Sequence, residues 1–396
     1  CNRTRTVFSD GTTWMTGHRC SRGEILGDPK DDSVREKVRA ALKRDQSVPN
    51  LYDVRERLLL EDRPVVPLLA DQDITIGIPR TLAFWDRLPF WRSFWKSLGF
   101  KVEVSGSSTR KMYEQGLSAV TSDTMCFPAK LVHGHVRDLV KRKVDRIWYP
   151  ILTTIPSENA MSTSESMCAV VKGYPIVMRN SDDPGRVFGV PLDAPLFHWY
   201  TYEDRDKQLC EYVQKQLGID PSLTLRAIKQ GDAAMDEFRS TLEAWGENVI
   251  SRVREQGRYA VVLAGRPYHN DPLVNHDLPR FFTELGIPVL TPDSVPGRNE
   301  VDLSNSLIDV VNNFHARMLS TAVISARSEC LEYVQIVSFG CGHDAYLSDE
   351  IIRMSKEISG KAPLVLKVDE SDIQGPLRIR VRSFVETVNA RRGLPS

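Results

Sequence analysis

The sequence predicts an α/β protein: two similar doubly wound parallel-sheet domains with a helical insertion between them and a small N-terminal β element. Three observations predict it. An apolar strand-like run, a glycine turn, an aromatic helix, a closing glycine and a second strand occur in that order twice. The stretch between the two occurrences is charged and helical in pattern. The N-terminal stretch instead sets short β-prone runs on either side of an Asp-Gly turn.

Residues 1–25 read as the small cysteine-containing β element, with Asp10-Gly11 as its hairpin turn. Cys1, His18 and Cys20 are read there either as part of a metal site or as reduced, unpaired thiols beside an ordinary histidine. A chain that begins at Cys1 rather than Met is expected to continue upstream. Residues 26–72 read as a helical connector, in which Asp32 or Ser33 caps a helix over 32–47.

Residues 73–202 read as the first α/β domain. Its strands are placed at 74–79, 101–104 and 146–150, and a helix at 89–98. The aromatic residues of that helix suit packing of one face into a core better than a base-stacking surface. Residues 203–257 read as a helical bridge, with Cys210 as an incidental helix residue. Residues 258–396 read as the second α/β domain: strands near 261–264 and 287–291, a helix at 278–285, further strands at 321–325 and 362–368, and a C-terminal helix at 375–389. Gly77 and Gly99 are 22 residues apart and Gly265 and Gly286 are 21 apart, which marks the repeat.

Several function classes are excluded by composition. Lys plus Arg and Asp plus Glu balance at 52 each, so the chain has no electrostatic footprint for nucleic acid or a membrane surface. No apolar run reaches membrane-spanning length and no signal peptide is visible, so a cytoplasmic location is expected. Neither G-x-G-x-x-G nor a P-loop occurs, which leaves nucleotide binding unsupported. Seven cysteines without a C-x-x-C pair argue against a secreted disulfide framework.

Three of those cysteines lie in loops rich in turn residues: Cys126, Cys168, and Cys341 between Gly340 and Gly342. Loops beyond the strand ends of doubly wound domains face a common crevice, so the three are expected to converge between the domains. Thiolates suit zinc or an iron–sulfur cluster. On spacing alone, three separately buried core cysteines are the other reading. Lys130, one turn beyond Cys126, is read either as an anion-holding group or as a solvated lysine. His133, His135, His269 and His343 are candidates for proton donation around such a centre, and each is also readable as an ordinary hydrogen-bonded histidine.

Residues 74–180 and 259–385 resemble the 2-hydroxyacyl-CoA dehydratase activase-related protein family. The resemblance is carried by Pro49-Asn50-Leu51-Tyr52, Ile76-Gly77-Ile78-Pro79-Arg80, the stretch 122–130, Val132-His133-Gly134-His135, Gly265-Arg266-Pro267-Tyr268-His269, the stretch 338–344 and Ile379-Arg380-Val381-Arg382-Ser383. Thr16-Gly17-His18-Arg19-Cys20 also resembles the family's short N-terminal cysteine element. It implies a fold similar to the cluster-bearing subunits of 2-hydroxyacyl-CoA dehydratases and ATP-dependent benzoyl-CoA reductases, enzymes of anaerobic metabolism. It further implies an iron–sulfur cluster of the 4Fe–4S type on Cys126, Cys168 and Cys341, in an electron-transfer or reductase component.

The implied partner is an ATP-dependent activase domain or subunit that supplies low-potential electrons, and the implied substrate class is acyl-CoA. The actin-like ATPase domains of longer members have no counterpart here, so no ATPase activity is expected of this chain. Further cysteines lie upstream in the family's N-terminal element, and the segment with Cys1 and Cys20 is expected to be metal-free without them. The alternative function is a non-catalytic scaffold or regulatory module that binds an activase or an acyl-CoA, holding zinc or no metal.

Overall fold

The computed structural model describes residues 4–7, 13–16, 31–371 and 374–394. Cys1, His18, Cys20 and the Asp10-Gly11 turn lie outside the described residues. On either side of that turn, β1 (Thr4–Val7) and β2 (Thr13–Thr16) pair antiparallel, as a hairpin requires. Helix α1 (Asp32–Ser47) is capped one residue earlier than expected, by Asp31, whose carboxylate accepts from the Ser33 N–H at 2.8 Å. Asn50 caps α2 (Leu51–Leu60) in the same way, accepting from the Tyr52 N–H at 3.1 Å.

The first sheet is built from β3 (Thr75–Ile78), α3 (Phe84–Ser97), β4 (Lys101–Val104), α4 (Arg110–Leu117), α5 (Phe127–Lys141) and β5 (Arg146–Trp148). It continues through β6 (Ile151–Thr154), α6 (Ala169–Ser181), α7 (Pro184–Phe188), β7 (Leu192–Asp193) and β8 (Leu196–His198). Its strand order is β4-β3-β5-β7, parallel throughout, with β6 and β8 forming a small parallel pair beside it. The aromatic helix is core, because Trp91 and Trp95 of α3 meet Trp148 with ring centroids 5.1 and 4.9 Å apart. Pro89 lacks an N–H, so the Trp85 carbonyl four residues back has no helical donor. Arg55 Nη2 fills that vacancy at 2.8 Å.

Helices α8 (Tyr202–Leu217) and α9 (Pro221–Glu255) form the bridge. At 1.5 Å per residue α9 extends about 50 Å, long enough to pack on α3 at one end and on the second half of the chain at the other. Gly246 is where it presses closest: a Cβ there would stand 1.7 Å from the Ser294 carbonyl oxygen. Gly246→Ala is therefore expected to destabilise by about 1–3 kcal/mol despite alanine's better helix propensity. Urea unfolding measures this, and an unchanged midpoint would mean that α9 can shift without cost.

The second sheet repeats the plan. It comprises β9 (Ala260–Ala264), α10 (Pro272–Asn275), α11 (Leu278–Thr283), β10 (Val289–Leu290), α12 (Asn313–Arg327), β11 (Leu331–Ser338), α13 (Gly342–Ser359), β12 (Leu364–Val368) and α14 (Gln374–Arg392). Its order is β10-β9-β11-β12, again all parallel. In each sheet the first strand lies between the second and the third, so the switch points fall beyond β3/β5 and β9/β11.

The expected strand at 321–325 is a correction: those residues lie inside α12, whose N-cap Asn312 accepts from the His315 N–H. Nearly every residue of α12 is buried, so the apolar run shows no helical period to distinguish it from a strand. The strand is β11 instead. Among the described residues no helix is long and apolar enough to cross a membrane.

Ion pairs sealed between the elements join the two halves. Arg317 of α12 donates to Asp86 of α3 at 2.6 Å and to Glu158 at 2.8 Å, and Arg239 of α9 donates to Glu158 at 2.6 Å. Arg55 of α2 donates to Asp293 at 2.7 Å alongside.

Candidate functional site

Each of the three loop cysteines proves to be a helix N-cap: Cys126 for α5, Cys168 for α6 and Cys341 for α13. The turn residues noted in the sequence bring an extended chain into a helix. The free N–H groups and dipole of a helix start favour an anionic sulfur placed there. Cys341 comes three residues after β11 ends at Ser338, beside the second switch point. Gly340 makes the intervening turn with φ of +78°, and a Cβ on it would lie 2.9 Å from the Thr124 carbonyl oxygen. The Cys341 loop thus rests directly on the Cys126 loop, across the two halves of the molecule.

Cys168 is buried, while Cys126 and Cys341 are half-buried. Burial pushes the Cys126 thiol up to about 12; Cys168 and Cys341 add to this, while the Ala129 N–H and Arg266 oppose it. Burial also raises Cys341, with Arg266 opposing and Asp344 and Cys168 adding. The three thiols therefore lie within one another's field. Tyr268 lies within the field of all three; its buried phenol is raised by desolvation, lowered by Arg266 and raised by each cysteine.

Arg266 and Tyr268 were not singled out as site residues from the sequence, although both lie in one of the stretches that carry the resemblance. Arg266 follows β9 at the second switch point. Its Nη1 donates to Asp344 at 2.6 Å, with side-chain exposures of 1% and 0%, and Asp344 in turn accepts from the Ser338 N–H at 3.0 Å. The Arg266 N–H donates to His269 Nδ1 at 3.0 Å, which leaves Nε2 as the protonated nitrogen, 2.7 Å from Ser338 Oγ. His269 thus braces the strand ends that carry Arg266 and Cys341. His343 Nδ1 lies 3.2 Å from His315 Nε2 and 3.0 Å from Tyr346 Oη. No local motif marks His315, which comes from α12.

The remaining candidates are engaged elsewhere. Lys130 is buried and donates to Glu370 at 2.7 Å, so its charge is neutralised by a carboxylate beyond β12. His133 meets Asp182 at 3.2 Å, a carboxylate it shares with Arg137. His135 lies between Ser105 Oγ and Ser108 Oγ, each at 2.8 Å, and Ser108 also donates to Asp271 of the second half. Cys210 and Cys330 make local bonds only, to the Pro221 carbonyl and to Ser328 Oγ.

Among the described residues no group of three or more His, Cys, Asp or Glu is placed to hold a metal ion. A single zinc draws its thiolates to about 2.3 Å from its centre. A cluster instead offers a separate iron to each thiolate, so its ligands stand farther apart. Thiol donors, with Arg266 and the Asp344 carboxylate in the field of Cys341, are of the soft kind that suits a thiophilic metal centre better than a hard cation.

The geometry defines a class: a two-sheet α/β protein with cysteine-headed helices where the loops of its halves meet. The chain belongs to the family described as the CoA enzyme activase uncharacterised domain, which matches residues 75–295, more than half of its 396 residues. That span includes Cys126, Cys168 and Arg266 and ends before Cys341. No curated protein matches the sequence.

Proposed function

We propose that the protein is an iron–sulfur electron-transfer or reductase component related to 2-hydroxyacyl-CoA dehydratases, fed low-potential electrons by an ATP-dependent activase. One observation carries the reading: three cysteines from separate segments, each heading a helix, lie in a common field with Arg266 among them. Membership of a CoA enzyme activase family supports the activase as partner and an acyl-CoA as the substrate class.

Cys126, Cys168 and Cys341 would hold the cluster. A bound cluster of the 4Fe–4S type supplies one-electron transfer at a potential tuned by charge, burial and hydrogen bonds to sulfur. The chain's own contribution is electrostatic. Helix starts offset the thiolate charge, and the thiols give up their protons on binding.

One observation favours a second reading, a metal-free scaffold that binds an activase or an acyl-CoA. Burial holds the free Cys126 thiol protonated at neutral pH. Anaerobic reconstitution of the full chain, followed by iron and acid-labile sulfide analysis, separates the two. Matching iron and sulfide are expected in the wild type, in Cys210→Ala and in Cys330→Ala. Incorporation should be lost in Cys126→Ala, Cys168→Ala and Cys341→Ala. Zinc alone, or no metal in the wild type, would establish the scaffold instead.

A further inference from the structure

We propose that a cavity at the amino end of the first sheet is a binding site for a small amphipathic carboxylate, with Arg92 as its anchor. The site lies apart from the cysteine loops and does not depend on them. Strands β3 and β4 run parallel, and the cavity forms where β4 opens at Lys101 and where Leu69 and Asp71 lead the chain towards β3. It measures about 650 Å³, within the roughly 300–1,000 Å³ of small-molecule pockets. Leu60, Leu69, Phe100 and Val102 supply its apolar wall, and of these only Phe100 is fully buried.

Three cations line the cavity, and two of them are already answered. Lys96 donates to Asp62 at 2.6 Å, while Lys101 donates to Asp73 at 2.8 Å and has Asp71 at 3.8 Å. Arg92 has no carboxylate partner among the described residues. Its Nη1 donates to the Leu60 and Glu61 carbonyls at 2.6 and 3.2 Å, and its Nε and Nη2 make no bond there. That edge of a guanidinium is the fork that holds a carboxylate by two parallel N–H bonds. Burial works against the Arg92 charge; Asp62 and Glu103 favour it and Arg63 opposes it. Glu103 is itself taken by Arg142 at 2.6 Å. One uncompensated cation calls for one negative charge, which a carboxylate carries and a phosphate monoester exceeds. The wall calls for an apolar body, since an inorganic anion would satisfy Arg92 and leave Leu60, Leu69 and Val102 in water.

Isothermal titration calorimetry of the full chain with octanoate, butanoate and 1-octanol tests the site. Octanoate is expected to bind saturably at one site. Butanoate, four methylenes shorter, should bind roughly tenfold more weakly or worse. Octanol keeps the chain but lacks the charge, and should lose a similar factor. Arg92→Gln retains a donor for the carbonyls and is expected to weaken octanoate roughly tenfold while leaving octanol unchanged. Arg92→Lys keeps the charge without the fork and should fall between the two; it decides the question if Arg92→Gln does not fold. Octanoate that never saturates, octanol that binds as well as octanoate, or an Arg92 variant with wild-type affinity for octanoate would overturn the inference.

Discussion

Replacing Arg317 by Ala is expected to destabilise the protein by about 3–5 kcal/mol, the range for removing one partner of a buried ion pair. Arg317 is 6% exposed and serves two carboxylates that are themselves almost sealed, Asp86 at 3% and Glu158 at 8%. Burial alone would raise both carboxyl groups. The arginines around them overcome it, holding Asp86 well below the usual carboxylate range and Glu158 down at about 2. Without Arg317, Asp86 keeps Arg87 at 3.1 Å and Glu158 keeps Arg239 at 2.6 Å, so two acids face two cations at poorer geometry. The loss falls between α3 and α12, where the two halves join. Urea unfolding at pH 7 measures it as a lower midpoint with an unchanged slope. A loss below about 1 kcal/mol would mean that water or a rearranged arginine replaces the lost charge.

Acidification is expected to weaken the fold from about pH 6.5 downward, before most carboxylates titrate. His135 and His269 are both buried, and desolvation pushes each down to about 3, with Arg80 adding to the effect on His135 and Arg266 adding to that on His269. Their unfolded value is 6.5. Between 6.5 and 3 the unfolded chain binds protons that the native chain refuses, so stability falls as pH falls. Each histidine costs about 1.4 kcal/mol per pH unit in that window, and the pair together about 3 kcal/mol per unit. The cost is complete once pH drops below the folded value.

Asp86 and Glu158 act lower, contributing stability above the unfolded carboxylate range and losing it as pH falls towards about 2 for Glu158. Urea midpoints at pH 7, 6 and 5 test the upper window. His135→Gln keeps polar atoms for Ser105 and Ser108 and is expected to reduce the slope by about 1.4 kcal/mol per pH unit. A flat profile between pH 6.5 and 5 would show that the native state protonates these rings after all.

The sequence by itself determined the elements whose signals are local. Strand β4 falls at 101–104 as alternation and the flanking glycine indicate, and Asp10-Gly11 lies between two strands that do pair. The repeated order of strand, glycine, helix, glycine and strand correctly foretold two parallel sheets, because the period of burial along a chain follows from backbone geometry. It failed where burial is complete. Thr321-Ala322-Val323-Ile324-Ser325 is covered on every side in α12 and has no polar face to show a period. β11 went unread because Glu332 and Gln335 interrupt its apolar run, and the Glu332 charge is answered only by Arg391 and Arg392, 59 and 60 residues away.

The candidate site divides along the same line. Cys126, Cys168 and Cys341 stand out through residue type and the turns around them, which are local properties. Only the tertiary structure could make all three helix caps and place the Cys341 loop on the Cys126 loop at Gly340. It alone assigned Lys130 to Glu370, 240 residues on, and set Arg266 and Tyr268 beside the thiols. Side-chain partners at such separations are chosen by how whole sheets and helices pack, and nothing in the residues flanking Lys130 or Arg266 encodes that choice.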